Sequence, residues 1–381
     1  MAQLAWDVMR LPLALYVHIP WCVRKCPYCD FNSHPQRADL PERAYVDALI
    51  EDLHQDLEKC VERPIQSIFF GGGTPSLFSA HAIGDFLQRI DRLLCLADDV
   101  EITLEANPGT FETDRFAGYR SAGVNRLSLG VQSLSDAKLA SLGRIHGRAE
   151  ALAAVRQARA AGFDNINLDM MYGLPRQSLL EAEKDLSELI GLAPEHISWY
   201  QLTLEPNTLF YQQPPRLPDD DQLGDIMDRG LQILAEAGYA QYEISAHAQA
   251  GKSCRHNLNY WEFGDYFGIG AGAHGKIMTE RGVIRTQRTR QPSNYLSRTD
   301  FHATEHPLSD GHLGAECLMN GLRLKSGISY ACFQERTGLD PVEFRSAHLM
   351  EADRLDLLTP GRFQTSELGW RHLNHILQML I

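Results

Sequence analysis

The sequence from Leu15 to Phe31 reads Leu-Tyr-Val-His-Ile-Pro-Trp-Cys-Val-Arg-Lys-Cys-Pro-Tyr-Cys-Asp-Phe. Apolar, β-forming residues from Leu13 to Ile19 predict a strand, which ends before a proline and leads into a loop. This loop contains Cys22, Cys26 and Cys29 in the spacing C-x3-C-x2-C. Three thiolates this close together suit an iron–sulfur cluster or another soft metal centre. A closed structural metal site has four protein ligands, so this trio leaves one position for a ligand that is not protein.

Two other interpretations of the cysteine loop are a structural zinc knuckle and a disulfide with one spare thiol. A disulfide is disfavoured because nothing in the sequence indicates a secreted protein. Five further cysteines lie scattered along the chain and are predicted to be ordinary buried or free thiols. They are Cys60, Cys95, Cys254, Cys317 and Cys332.

The composition is that of an ordinary globular protein, with 44% hydrophobic and 22% charged residues among 381. A formal net charge of −13 argues against phosphate-driven binding of nucleic acid, which needs a basic surface. No apolar run approaches the ~18 residues that a membrane span needs. The beginning of the chain lacks the basic-then-apolar layout of a signal peptide. We therefore expect a cytoplasmic protein without a membrane span.

Short apolar strands alternate with helical periodicity from residue 13 to about 205, which predicts an α/β fold with a parallel sheet. Helices are predicted around residues 46–57 and 83–94, because apolar side chains recur there on one face. Six βα units fit a partial six-stranded (β/α)6 barrel, although a doubly wound sheet would give the same pattern. The predicted strands are Leu13–Ile19, Ser67–Phe70, Glu101–Glu105, Arg126–Val131, Asn165–Met171 and Ile197–Thr203.

Three regions are predicted along the chain. Residues 1–245 form the partial barrel, residues 246–300 are a connecting segment, and residues 301–381 form a small, mostly helical C-terminal domain for which a winged form is left open. The stretch Thr279 to Thr304 is polar and is predicted to be irregular. Near the end of the chain we expect a helix that leads into a tight hairpin at Leu355 to Phe363, and then a final helix from Trp370 to Ile381.

Several residues that can bind a ligand follow the ends of the predicted strands, where β/α barrels carry their functional loops. The glycine run Gly71 to Pro75 follows the second strand, and its missing side chains allow backbone to approach a ligand closely. Taken singly, each such residue is more often structural. Their placement at one rim favours a binding site, with candidates Glu105, Gln132, Arg144 and Asp169.

The cysteine loop resembles that of the radical S-adenosylmethionine (SAM) superfamily, and more narrowly that of the oxygen-independent coproporphyrinogen oxidase-like family. The resemblance covers nearly the whole chain, including the C-terminal domain. It implies the partial barrel, and a 4Fe–4S cluster on Cys22, Cys26 and Cys29 whose open iron binds SAM. It also implies that the cofactor side includes the run Gly268 to His274, and that SAM is contacted by Tyr16, Tyr28, Gly73, Thr74, Pro75, Glu105, Gln132, Arg144 and Asp169.

Three features indicate the HemW-type haem chaperones within that family. Phe31 stands where true coproporphyrinogen oxidases have a fourth cysteine, and only 21 residues precede the first cysteine. The segment His256 to Trp261 reproduces the H-N-x-x-Y-W motif that this subfamily is proposed to use for haem. If the segment is helical, His256 and Tyr260 lie one turn apart, and both side-chain types are haem-iron ligands in proteins. Without the resemblance, an aromatic core segment with one hydrogen-bonded histidine is the preferred interpretation.

The resemblance implies a haem chaperone that binds the cluster, SAM and haem and delivers haem to haem-requiring respiratory proteins. It also admits a homodimer tied to cluster occupancy. The competing hypothesis is an enzyme, the anaerobic oxidative decarboxylation of coproporphyrinogen III. A third is a different radical SAM enzyme with an aromatic substrate pocket. We assign no catalytic residue and expect no coproporphyrinogen oxidase activity.

Overall fold

The computed structural model describes residues 11–36, 39–109, 115–279 and 282–380. A sheet of 12 strands forms its centre, in the order β14-β13-β12-β11-β1-β4-β5-β6-β7-β8-β10-β9, and two pairs of short strands lie outside it. The strands are β1 Leu13–Ile19, β2 Trp21–Cys22, β3 His34–Pro35, β4 Ile65–Gly72, β5 Leu96–Ala106, β6 Arg126–Gln132, β7 Ile166–Tyr172, β8 His196–Gln201, β9 Ala240–Gln241, β10 Ala246–Ala248, β11 Asp265–Ile269, β12 His274–Thr279, β13 Gly282–Arg288, β14 His302–Pro307, β15 Ile328–Ser329 and β16 Arg362–Phe363.

The six predicted strands are β1 and β4 to β8, and all pair in parallel with their neighbours in chain order. In a doubly wound sheet, the order of the strands reverses partway along the chain. Here β1 and β4 to β8 follow one another in sequence order, which confirms the barrel-type arrangement. All seven residues of β6 are buried, as expected for a strand covered on both faces.

Helices cover the outside of these strands. The first helix buries Val46, Leu49, Ile50 and Leu53, in agreement with its predicted apolar face. The helices are Glu42–Leu57, Ala80–Leu93, Phe116–Ala122, Asp136–Ser141, Arg148–Ala160, Leu179–Ile190, Leu209–Gln212, Asp220–Glu236, Arg255–Trp261, Pro292–Leu296, Asp310–Gly321, Tyr330–Thr337, Pro341–His348, Met350–Arg354, Glu367–Arg371 and Leu373–Gln378, with a 3-10 turn at Pro75–Leu77.

The prediction that Thr279 to Thr304 is irregular was wrong. This part of the chain holds β13, a short helix and the first half of β14, and the two strands extend the sheet beyond β1 through the parallel strand β11. Its polar residues misled the prediction for two reasons. Strand β14 is the edge of the sheet and is largely exposed. Arg288 on β13 is fully buried, because it pairs with Asp52 and Asp56 of the first helix.

The helices after residue 310 and the strands β15 and β16 form a second apolar core, which also includes Phe263 and residues of β12 and β13. The predicted helix-then-hairpin order is present: a helix ends at Arg354, and Leu358 pairs with Thr365 across a turn. The prediction of a single final helix was wrong, because two short helices meet there at His372. The division at residues 245 and 300 stays a prediction. Within the described ranges, no helix has both the length and the apolar character required to cross a bilayer.

Candidate functional site

The cysteine loop begins at the carboxyl end of β1. Cys22 is buried at the end of β2, and Cys26 and Cys29 are half-buried in the turn that follows. The amide of Cys29 donates to the carbonyl of Cys26 over 3.2 Å, which folds this turn. All three are free thiols, and burial raises the pKa of Cys22 and Cys29. The thiolate forms of these cysteines therefore need a positive partner, such as iron.

The spacing of the three sulfur atoms separates a cluster from a single zinc ion. Zn–S bonds of about 2.3 Å would hold all three sulfurs within about 4.6 Å of one another. Among the described residues, the only three ligand atoms of His, Cys, Asp or Glu that lie within 4.8 Å of one another come from Asp56, His302 and Glu305. At least one pair of the cysteine sulfur atoms therefore lies more than 4.8 Å apart, farther than two ligands of one zinc ion would be. A cluster allows the wider spacing, because each thiolate binds a different iron.

A cavity of about 150 Å³ lies beneath the cysteine loop at the carboxyl ends of β1 and β4 to β8. It brings together most of the residues that the sequence predicted for the cluster and SAM. Pro75 is buried next to it at the start of the 3-10 turn, and Tyr16 lines a second cavity. The predicted residues that line the first cavity are Cys22, Cys26, Tyr28, Cys29, Gly73, Thr74, Glu105, Gln132, Arg144 and Asp169.

The glycines after β4 are needed for packing within the protein. Gly72 has φ of +110°, and a Cβ there would lie 2.5 Å from the imidazole of His18. A Cβ on Gly73 would lie 2.5 Å from the carbonyl oxygen of Trp21. The amides of Gly73 and Thr74 donate to the carbonyls of Ile19 and Trp21, over 2.8 and 2.7 Å. The glycine run therefore fastens the cysteine loop to the sheet, which the sequence alone did not indicate.

Arg144 places a positive charge beside the cysteines. Its guanidinium donates to Asn107 Oδ1 over 2.6 Å and to the carbonyl of Gly130 over 2.8 Å, and it lies 3.6 Å from Cys26 Sγ. Asn107 in turn donates to Thr74 Oγ1 over 3.0 Å. This chain of contacts fixes the guanidinium where it can stabilise a thiolate or the carboxylate of an amino acid.

Glu105 and Asp169 are two buried carboxyl groups that face the same space. Burial raises the pKa of Glu105 to about 8, with a further contribution from Asp169, and the amide of Gly72 opposes this by donating over 3.3 Å. Burial also raises the pKa of Asp169, although Asn167 and Ser128 donate to it. A cationic ligand would offset the cost of ionising such a pair, and SAM carries a positive sulfonium.

Gln132 ends β6 with a positive φ of 67°, at a shift in the pairing of β6 with β7. Its side-chain oxygen accepts from the hydroxyl of Tyr200 over 2.8 Å. The irregular backbone turns the amide towards the cavity, as bulges beside binding sites often do.

A larger cavity of about 890 Å³ continues into the barrel and adjoins the first. The two share part of their walls, at Phe31, Gly72, Glu105, Ser128 and Asp169. Phe31, which replaces the fourth cysteine of the oxidases, is 60% exposed at their junction. The larger cavity is rich in flat side chains that could contact a porphyrin, namely Tyr16, Phe69, His256, Tyr260, Trp261 and Tyr266.

The helix Arg255–Trp261 carries the predicted haem motif, so His256 and Tyr260 do lie one turn apart, and both line this cavity. Ser67 Oγ is 3.0 Å from Nδ1 of His256, and the ring lies 5.0 Å from that of Phe69. Within the described residues, Nε2 has no hydrogen-bond partner. Burial, and next the charge of Arg126, lower the pKa of His256 to about 3. A neutral imidazole with one free nitrogen is the form that binds a metal.

Three residues of the site were missed from the sequence: Asn107, Arg126 and Tyr200. Asn107 and Tyr200 matter because they hold Arg144 and Gln132, and nothing in a linear pattern indicates such pairings. Arg126 begins a strand whose other residues are buried. A charged residue in a fully buried strand is an indication that the sequence analysis could have used.

The fold is that of the radical SAM superfamily, whose family model matches residues 16–189, and the model of the HemN C-terminal domain matches residues 308–372. The heme chaperones HemW of Haemophilus influenzae and Escherichia coli are 48% and 49% identical to this chain. Each alignment covers 97% of this chain and 98% of the relative. The chain belongs to the HemW family.

Among solved structures, the radical SAM enzyme coproporphyrinogen III oxidase (HemN) from Escherichia coli superposes with a TM-score of 0.82. The match covers 99% of this chain and 92% of that one at 22% identity. It shows a common fold from the barrel to the C-terminal helices.

Proposed function

We propose that this protein is a cytoplasmic haem chaperone. It holds a 4Fe–4S cluster on Cys22, Cys26 and Cys29, binds SAM against the cluster, accepts haem in the larger cavity, and passes haem to haem-requiring respiratory proteins. The observation that carries the proposal is the pair of adjoining cavities. One is lined by the cysteines and the predicted SAM residues, and the other by a neutral His256 with a free nitrogen. The relatives that bear the name heme chaperone HemW support it.

The residues of the first cavity each have a part in holding the cofactors. Arg144 balances the negative charge of the thiolates, and Thr74 and Asn107 keep it in place. Glu105 and Asp169 meet the positive charge of SAM, and Gln132 offers an amide at the rim. When bound, a cluster of this type supplies one-electron reduction of SAM. The protein's contribution is to orient SAM and to limit the access of water, since most of these walls are buried or half-buried.

The second cavity suits haem because it combines a metal ligand with flat apolar walls. His256 is held by Ser67, so its free Nε2 has a fixed direction. Tyr260 is 37% exposed at the mouth of the cavity and is the second candidate ligand. An open mouth is what transfer to a recipient requires, whereas a buried prosthetic group would be enclosed.

The test compares haem binding with porphyrinogen oxidation. The protein is purified without oxygen, its cluster is reconstituted, and haem is titrated while the Soret band is recorded. In a separate reaction, coproporphyrinogen III, SAM and a reductant are supplied. We expect haem to bind stoichiometrically and no protoporphyrinogen to form.

His256→Ala should weaken haem binding at least tenfold, whereas His312→Ala, an exposed histidine in the C-terminal part, should not. Formation of protoporphyrinogen would favour the oxidase, and unchanged haem affinity in His256→Ala would remove this residue from the haem site.

A further inference from the structure

Arg126 lies deep inside the barrel, at the opposite end of β6 from Gln132. Six residues of extended strand separate the two, which is about 20 Å. Arg126 is only 2% exposed, and it contributes to the wall of the larger cavity together with His256. The base of this cavity therefore contains a positive charge that the cluster and its SAM residues do not use.

The guanidinium of Arg126 has no hydrogen bond and no ion pair within the described residues. Its Nε is fully buried without a partner. Cys254, Glu101, Tyr242 and Asp169 act on it electrostatically, but none of them forms a hydrogen bond or an ion pair with it. One oxygen of Glu101 instead accepts from the amides of Arg255 and His256, over 3.0 and 3.3 Å.

Several polar side chains near Arg126 have hydrogen-bond partners of their own, although the buried hydroxyl of Thr103, opposite Arg126 on β5, has none. Asn167 donates to Asp169 over 2.7 Å and accepts from Ser198 over 3.0 Å. Both nitrogens of His196 are paired, with Asn167 over 2.6 Å and with the hydroxyl of Tyr242 over 2.8 Å. The side chains of Asn167, Asp169, Ser198 and His196 thus bond to one another or to Tyr242, and none of them bonds to the guanidinium of Arg126.

A buried Nε without a partner is unfavourable, because that nitrogen has lost its water and gained no hydrogen bond in return. A ligand that accepts hydrogen bonds from the guanidinium would remove this cost. The planar fork of arginine matches a carboxylate, to which it donates two parallel hydrogen bonds. The cavity around it is otherwise aromatic and large enough for a flat ligand.

We propose that Arg126 is a carboxylate-binding subsite and that it binds a propionate side chain of the porphyrin. This inference rests on the proposed function, since it takes the occupant of the cavity to be a porphyrin. The carboxylate of SAM is not its ligand, because SAM binds at the cysteine loop, at the far end of β6. Arg126 then fixes the orientation of the porphyrin while His256 binds its iron.

The test measures whether the protein distinguishes free from esterified propionates. Haem and haem dimethyl ester are titrated into the anaerobic, cluster-loaded full chain. We expect the unmodified protein to bind haem at least tenfold more tightly than the ester. In Arg126→Met the affinity for haem should fall at least tenfold, and the preference over the ester should disappear. Arg126→Lys keeps the charge and should retain part of the preference.

The matched control is Arg156→Met, which removes an exposed arginine from the outer helix Arg148–Ala160 and should leave both affinities unchanged. Equal binding of haem and ester by the unmodified protein would overturn the inference, and this comparison does not depend on the folding of any variant. So would an unchanged preference in Arg126→Met. In both cases haem still binds and the proposed function stands, whereas no haem binding at all would overturn both.

Thermal unfolding of the ligand-free protein distinguishes a binding role from a structural one. If Arg126 awaits a ligand, Arg126→Met should melt at an unchanged or higher temperature, because an unpaired buried charge is removed. A melting temperature that falls together with unchanged haem preference would assign Arg126 to the fold.

Discussion

Glu105 is a buried carboxyl group that is largely protonated at neutral pH, because its pKa is raised to about 8. Binding of the cationic SAM favours the ionised form, so binding should release a proton. We expect the affinity for SAM to increase with pH up to about 8 and to level off above it. Calorimetry in buffers of different ionisation enthalpy measures the released proton directly.

The control for this prediction is a pair of variants. Glu105→Gln should weaken SAM binding at neutral pH less than at pH 9, and it should flatten the pH dependence. Glu51→Gln, on the exposed side of the first helix, should keep the full dependence. The prediction fails if Glu105→Gln shows the same slope as the unmodified protein.

Gly73 is predicted to be necessary for the cysteine loop. In Gly73→Ala the new methyl group would meet the carbonyl oxygens of Trp21 and Ile19, at 2.5 and 2.9 Å, and neither can move freely. We expect the purified variant to hold less than half the iron of the unmodified protein while its overall fold remains. Iron content and the cluster absorbance measure this.

Gly224→Ala is the matched substitution, since its Cβ meets nothing within 4 Å in the helix Asp220–Glu236. This variant should keep its full iron content. Its free energy of unfolding should rise by up to ~1 kcal/mol, because alanine favours a helix more than glycine does. Equal iron in both variants would show that the loop tolerates the displacement.

At the scale of residues, the sequence alone predicts those candidate sites that consist of a local motif. The cysteine trio and the haem motif are contiguous, so their spacing could be interpreted directly. Residues such as Asn107 and Arg126 depend on partners, or on a lack of partners, that only the folded chain defines. The predicted SAM residues came from a family resemblance, and their assembly around one cavity could not be obtained from the sequence.

Strand β13 is held to the first helix by buried charge. Arg288 has no exposed surface and pairs with both Asp52 and Asp56. Asp52 also accepts from the hydroxyl of Tyr295 over 2.7 Å and from the amide of Gly270 over 3.0 Å. Removing one member of a buried pair leaves an uncompensated charge, which typically costs ~3–5 kcal/mol. We expect Arg288→Met to lose about this much free energy of unfolding in urea denaturation.

An exposed arginine provides the comparison for Arg288. Arg92→Met, on the surface of the helix Ala80–Leu93, should change the free energy of unfolding by less than ~0.5 kcal/mol. A similar small change in Arg288→Met would mean that the buried network contributes little, as some buried ion pairs do when replaced by apolar side chains.

Elements with strong apolar periodicity were predictable, and the edge of the sheet was not. The strands β1 and β4 to β8 each contain short apolar stretches that alternate along the chain with helical periodicity, which identifies them without tertiary information. Strands β13 and β14 consist largely of polar residues. Arg288 of β13 forms buried ion pairs with the first helix, and β14 is exposed to solvent. The final helix was predicted too long, since helical propensity does not reveal the break at His372.

A buried ion cluster also joins the strands β11 and β12 to the segment before β4. Asp265 is bound by Arg63 and by Lys276, the latter over 2.8 Å. Burial would raise the pKa of Asp265, but Lys276 and Arg63 outweigh it and lower that pKa below its usual value. The stabilisation is therefore fully present above the unfolded pKa of about 3.9 and is lost as the pH falls towards the folded value.

We predict that Asp265→Asn lowers the free energy of unfolding by ~3–5 kcal/mol at pH 7, because two buried cations lose their partner. The difference from the unmodified protein should shrink as the pH is lowered below about 4. Urea denaturation at a series of pH values checks both. A difference that stays constant down to pH 3 would mean that another group causes the acid dependence.

The two adjoining cavities have a thermodynamic consequence for the molecule. Because Gly72, Glu105 and Asp169 belong to the walls of both, an occupant of one changes the surroundings of the other. Any factor by which SAM alters the affinity for haem must equal the factor by which haem alters the affinity for SAM. The cofactor would then act as an effector of loading and release without being consumed, and reciprocal titrations would give the same coupling free energy from either direction.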